Sequence, residues 1–223
     1  TKQHSLQRAG NSSSNRLGIG IDYGTSNSAA AIFDGTHVTV ANLEPHAKVM
    51  PSATYINREY QIVTGQAAID EYVSSNTGRT VELSAEILGE GRTTTGQTGD
   101  HGLPEEASTS LIYGQSLVDG GQQGRLFRGI KRLLGNNESQ RLMVFDKPFR
   151  LVALITPLLI RIRRTIEAQL PLGLNPTPVI DHACIGHPVN FEGSQNDRNR
   201  AALSALSESY GYAEFNRQSF YPE

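Results

Sequence analysis

The 223 residues carry 20 Lys and Arg against 22 Asp and Glu, a net charge of −2, with six histidines and one cysteine. That balance excludes a chain built chiefly to hold nucleic acid or an anionic membrane, since both demand a basic excess. The lone Cys184 excludes an intrachain disulfide framework and a multi-cysteine zinc site, and the longest apolar run, Leu151 to Ile160, falls well short of the about 20 residues of a membrane span.

Residues 1–16 are polar, contain no apolar block of signal-peptide type, and read as a disordered leader; a cytoplasmic location is the expectation. The chain opens on Thr and stops at Glu223 within a strand end, as a piece of a longer protein would. Leu17–Tyr23 alternates apolar and small residues before Gly24, Ser28–Phe33 resumes the extended pattern, and Asp34-Gly35 is a hairpin signal before His37–Leu43. Three antiparallel strands are predicted. Pro51–Ile56 follows as a strand and Ala67–Val73 as a helix. Residues 89–102 hold Gly and Thr but no large apolar side chain, so a mobile loop is expected. Their glycines lack the GKS or GKT of a phosphate-binding P-loop.

Leu126–Gly135 reads as a short helix closed by Gly135. Leu151–Leu170 has helical spacing and begins either at Leu151, with a kink, or at Thr156-Pro157. A short buried strand over Ala183–Ile185, a helix over Asp197–Tyr210 ended by Gly211, and a strand over Phe215–Tyr221 complete the order. The expectation is an α/β layered fold. Its core subdomain takes residues 17–48 plus 148–223, with 49–147 inserted as a smaller lobe.

The chemistry concentrates at Asp22-Tyr23-Gly24-Thr25-Ser26-Asn27. A carboxylate ends a buried strand, a glycine allows a sharp turn, and hydroxyl and amide side chains follow at once. Such a turn gathers backbone N–H groups and hydroxyls into one concavity suited to phosphate oxygens, and Asp22 sits where a hard cation bridging them would be held. A β-carbon at Gly24 would then crowd the anion. An ordinary polar hairpin is the alternative. His182 and His187, five apart on a strand, point to opposite faces and suggest no metal site.

IGIDYGTSNSAAAIF resembles the first phosphate loop of the actin and heat-shock chaperone ATPase superfamily. Phe127–Gly135 (FRGIKRLLG) is similar to the lysine-bearing helix of the seventy-kilodalton heat-shock (DnaK-like) chaperones. Pro51-Ser52, Gly65-Gln66-Ala67-Ala68, residues 182–195 and Gly211–Glu223 resemble further landmarks in the same order. HPVNF and FYPE are closer to the divergent bacterial YegD-like branch than to the mainstream chaperones. The segment between Arg79 and Arg125 matches no landmark of the family.

The resemblance implies a ribonuclease H-like (actin-like ATPase) mixed sheet with flanking helices. It implies ATP or ADP with Mg2+, Asp22 near the metal, and Gly24, Thr25, Ser26 and Asn27 around the phosphates. Lys131 would be the catalytic lysine and Glu223 would orient water. Pro188 would be a hinge relaying nucleotide state, although Asn196 stands where the family carries an arginine. The bland reading of Lys131 is a solvated helix lysine beside Arg132, and that of Pro188 a strand-ending proline. The resemblance also implies a client protein as partner, through regions outside this chain. A lone first lobe would bind ATP weakly and turn it over negligibly. Two alternatives to an ATPase stay open: a small-molecule kinase of the same superfamily, and a non-catalytic interaction module.

Overall fold

The computed structural model describes residues 17–93, 108–134, 141–170, 180, 182–188 and 196–222. In chain order the strands are β1 (Gly18–Tyr23), β2 (Asn27–Phe33), β3 (Val38–Val40), β4 (Met50–Pro51), β5 (Ala53–Asn57) and β6 (Ile62–Thr64). Helix α1 (Gln66–Asn76) precedes β7 (Leu83–Thr93), β8 (Ser108–Asp119) and β9 (Gly124–Arg128), and a 3-10 turn spans Ile130–Leu133. Then come β10 (Arg141–Val144), β11 (Lys147–Arg150), α2 (Leu151–Gln169), β12 (His182–His187), α3 (Asn196–Tyr212) and β13 (Arg217–Pro222). The chain is mixed α/β. It divides into two compact units, Ser74–Gln123 and the rest.

In the larger unit the central sheet runs β13-β12-β1-β2-β3, with β4 paired to β2. The first three strands are antiparallel, while β12 joins β1 and β13 joins β12 in parallel. The register sets Ile19 beside Ala183 and Asp22 beside Gly186, which faces Tyr221. Alternation sends Ile19, Ile21, Tyr23, Ala30, Ala183 and Ile185 to one face, where they are buried together with Leu154, Ile155, Ile162 and Ile166 of α2 and Leu206 and Tyr210 of α3. The opposite face carries Gly20, Ala29, Ala31, Cys184 and Ser219, none of them fully buried. A β-carbon on Gly20 would meet no atom within 4 Å.

Helix α2 begins at Leu151 and holds Pro157 inside it. The missing N–H at Pro157 leaves the Ala153 carbonyl without its helical donor, a loss tolerated where Ala153 is exposed to solvent. Helix α3 runs through Gly211 instead of stopping there. It ends where Phe215 N–H donates to the Tyr210 carbonyl and Glu214 N–H to that of Gly211, the pattern of a Schellman cap with Glu214 left-handed at φ 65°.

Three further expectations are corrected. The separate unit is Ser74–Gln123, not 49–147. The flanks of the expected insert belong to the main core: β4 pairs with β2, Thr54 Oγ1 donates to the Leu154 carbonyl, and Met50, Ile56, Ile130 and Val144 share the buried cluster of β1 and α2. Gly89–Thr93, read as the start of a mobile loop, are the end of β7, whose ladder with β8 reaches Thr93 opposite Ser108. Ladder bonds come from the backbone and need no large side chains; residues 94–102 lie outside the described residues. Leu126–Arg128 is strand, not helix, because β5 takes its backbone in register from Ala53–Arg128 to Asn57–Gly124. Gly129, at φ 69°, then breaks into the 3-10 turn; Gly135 and the leader 1–16 lie outside the described residues.

In the smaller unit β7 and β8 form a two-stranded sheet. Its base is clamped by Asp119, which forms an ion pair with Arg79 and accepts the N–H groups of Glu82 and Gly121.

Candidate functional site

Strands β1, β12 and β13 run parallel and finish at the same edge of the sheet. In open α/β sheets the crevice outside the carboxyl ends of the strands is where ligands bind. Three segments come together there: the Asp22–Asn27 turn after β1, His187-Pro188 after β12, and Pro222, which pairs with His187. Asp22 is exposed at the end of β1. Its register partners are Ala29 and Gly186, so no bulky side chain flanks it. The Tyr23 ring turns into the core, where burial pushes its hydroxyl pKa up.

The turn is held from β4 and the residue after it. Ser52 N–H donates to the Ser26 carbonyl at 2.9 Å, and Ser52 Oγ donates to the Gly24 carbonyl at 2.8 Å. Ser28 Oγ lies 2.8 Å from Ser52 Oγ. The side chains of Thr25, Ser26 and Asn27 make no hydrogen bond to any described residue; Ser26 and Asn27 are exposed. A turn with two unspent hydroxyls, one amide and a nearby carboxylate is chemically able to receive an oxyanion with its cation.

The reason for Gly24 is corrected. A β-carbon there would collide with the Asn27 carbonyl across the turn. The hairpin itself demands glycine, with or without an anion.

Lys131 sits in the 3-10 turn and is 6 % exposed, while Arg132 beside it is exposed. That is not the environment of a solvated helix lysine. The segment approaches the turn, because a β-carbon on Gly129 would stand 3.8 Å from Thr25 Cγ2. At Pro188 the carbonyl accepts from His187 Nδ1 at 2.9 Å, and the His187 ring meets Phe220 edge-on at 6.2 Å. His182 instead bonds Ser219 at 3.1 Å. Ser219 and Phe220 are adjacent on β13, so the two histidines do face opposite sides. Glu223 lies outside the described residues.

Two concavities lie elsewhere. A groove of about 640 Å³ follows α2 past Pro157, Arg161 and Arg164 to Ile62, and one of about 240 Å³ lies between α2 and α3 beside Arg150 and Glu208. Neither is lined by the Asp22–Asn27 turn, and chemistry favours the turn over the larger volume. Among the described residues no three His, Cys, Asp or Glu side chains gather as a metal cage, and no helix is long and apolar enough to cross a membrane.

Sequence reasoning met Ser52 only within the Pro51-Ser52 landmark and gave it no role at the turn, because its bond to Gly24 joins residues 28 apart in the chain.

No family model matches this sequence, and no curated protein matches it at a significant level.

Proposed function

We propose that this chain supplies the phosphate-binding lobe of a nucleotide-hydrolysing domain of the actin and heat-shock ATPase type, built on a ribonuclease H-like sheet. One observation carries the reading: the Asp22–Asn27 turn stands at the carboxyl edge of parallel strands β1, β12 and β13, and the Gly129–Lys131 segment approaches it. The strand order, three antiparallel strands extended by two parallel ones, is what such a sheet requires.

In this reading Thr25, Ser26 and Asn27 receive the β- and γ-phosphates of ATP. Mg2+ is commonly bound through one or two carboxylates plus phosphate oxygens and its own waters. A single exposed Asp22 therefore fits the ion, which would neutralise phosphate charge when bound. Lys131 supplies a point charge from a buried side chain, less screened by water than that of an exposed lysine, to stabilise the transferring phosphoryl oxygens. Pro188 ends the strand beside the turn and transmits its state. A cytoplasmic location and a client protein as further partner go with this reading.

The test is a titration of the isotopically labelled 223-residue chain with MgATP, followed by amide resonances, because these register millimolar binding. Perturbation confined to residues 22–27, 129–131 and 186–188, and lost in Asp22→Asn, supports the reading. Perturbation elsewhere, or none at 10 mM, roughly ten-thousandfold above a micromolar dissociation constant, overturns it in favour of a non-catalytic module.

A further inference from the structure

Ser52 makes two hydrogen bonds to the turn, and both are to carbonyls: Gly24 through its hydroxyl and Ser26 through its backbone N–H. A hydroxyl has one proton to give. Ser52 gives it to Gly24, so in the Ser28–Ser52 contact Ser28 is the donor. The bonds therefore run in one direction, from Ser28 through Ser52 to the Gly24 carbonyl. Ser28 is 1 % exposed and Ser52 5 %, and in such surroundings each bond polarises the next.

A trans peptide is planar, with its C=O and the following N–H directed to opposite sides. Holding the Gly24 carbonyl towards Ser52 therefore turns the Thr25 N–H away from Ser52. Holding the Ser26 carbonyl towards Ser52 does the same for the Asn27 N–H. Of the peptide planes in the turn, the one after Gly24 is the easiest to rotate, because glycine has no β-carbon to resist it. If it rotated, a carbonyl would replace an N–H on the side where an anion is received.

We infer that Ser52, backed by Ser28, is the positioning residue of the turn: it sets the Thr25 and Asn27 amides towards a bound oxyanion and keeps the Gly24 carbonyl from facing it. This rests on the phosphate reading given above. The shared chemistry is that of a diphosphate group, free or in a nucleotide.

Ser52→Ala, Ser52→Thr and Ser28→Ala are compared with the wild-type chain in two measurements. The first uses no ligand: amide chemical shifts and hydrogen exchange at Thr25 and Asn27. The second is titration with inorganic pyrophosphate and Mg2+. Ser52→Ala should move the Thr25 amide shift, speed its exchange and weaken pyrophosphate binding about tenfold, the effect of losing one oriented bond. Ser52→Thr keeps the hydroxyl and should restore both. Ser28→Ala should show the same changes at smaller size, and it decides the matter if Ser52→Ala fails to fold. Folded Ser52→Ala with unmoved amides and wild-type affinity overturns the inference. If the wild-type chain binds no pyrophosphate, the phosphate reading falls, while the ligand-free amides still judge whether Ser52 orients the turn.

Discussion

Arg161 reaches from α2 to Glu44 in an ion pair of 2.5 Å, and the second carboxylate oxygen of Glu44 accepts the N–H of Gln66 at the start of α1. The Glu44 side chain is 8 % exposed and that of Arg161 29 %. Removing one member of a buried pair strands the other charge, at a cost of about 3 kcal/mol. Glu44→Ala is expected to lose that much in urea denaturation. The double variant with Arg161→Met should lose clearly less than the two single losses added together. Additive losses would mean that the pair is not coupled.

At Gly24 the expected result follows from the collision with the Asn27 carbonyl. Gly24→Ala should destabilise the nucleotide-free chain by about 2 kcal/mol, as overpacking in a closed turn does. A thermal melt without ligand decides it. An unchanged midpoint combined with lost MgATP perturbation would restore the older reason, that a β-carbon crowds the anion.

Glu214 occupies a position that helix caps normally leave to glycine, at φ 65°. Its carboxylate forms an ion pair with Arg163, but its side chain is 75 % exposed, and exposed pairs contribute about 0–1 kcal/mol. The left-handed backbone costs about 1–2 kcal/mol in a residue with a β-carbon. Glu214→Gly should therefore stabilise the chain by up to about 1 kcal/mol. A lower melting midpoint at low salt would show the ion pair to be the larger effect.

The Asp119 carboxyl is held below its ordinary value, first by the hydrogen bonds from Arg79 and then by the N–H groups of Glu82 and Gly121. A depressed pKa means that the folded state prefers the charged form. Its contribution is complete above the ordinary carboxylate value of about 3.9 and is lost as pH falls through the lowered one. Amide exchange at Glu82 and Gly121 should accelerate beyond the intrinsic trend as pH falls below the ordinary carboxylate value of about 3.9. Asp119→Asn should show no such step. A step that persists in Asp119→Asn would place the acid sensitivity elsewhere.

The meander was legible because its signals are local. Asp34 Oδ1 accepts the N–H groups of Thr36 and His37, and Gly35 turns at φ 100°, as the Asp-Gly pair predicts. The long helix was legible from its spacing, and its start at Leu151 was one of two readings. Leu126–Arg128 was misread because LFRGIKRLL fits helical spacing, while its true partner is β5, about 70 residues earlier in the chain. The β10–β11 hairpin escaped notice for a different reason. Its turn residue Phe145 is left-handed at φ 56° and meets Tyr60, left-handed at φ 60°, edge-to-face at 6.3 Å. Two rings in conformations that sequence rules assign to glycine are stabilised by each other, and pairwise stabilisation between distant turns leaves no local mark. At the candidate site the turn itself was legible, but what grips it was not. The grip of Ser52 on Gly24 is a tertiary bond.

The pairing of Ile19 with Ala183 has a consequence for how the molecule forms. The middle strand of the central sheet meets its parallel neighbour only after nearly all of the chain between them has been made. Strands β1 to β3 alone would have a two-residue extension at β4 and one open side. Formation of the sheet is then governed by closure of one very long loop, which makes it slow. The same closure is insensitive to small changes in that loop, because its entropic cost grows only with the logarithm of length, about 0.6 kcal/mol per doubling. The Ser74–Gln123 segment, attached within that loop, is thus free to lengthen or shorten over evolutionary time at little cost to the sheet that frames the turn.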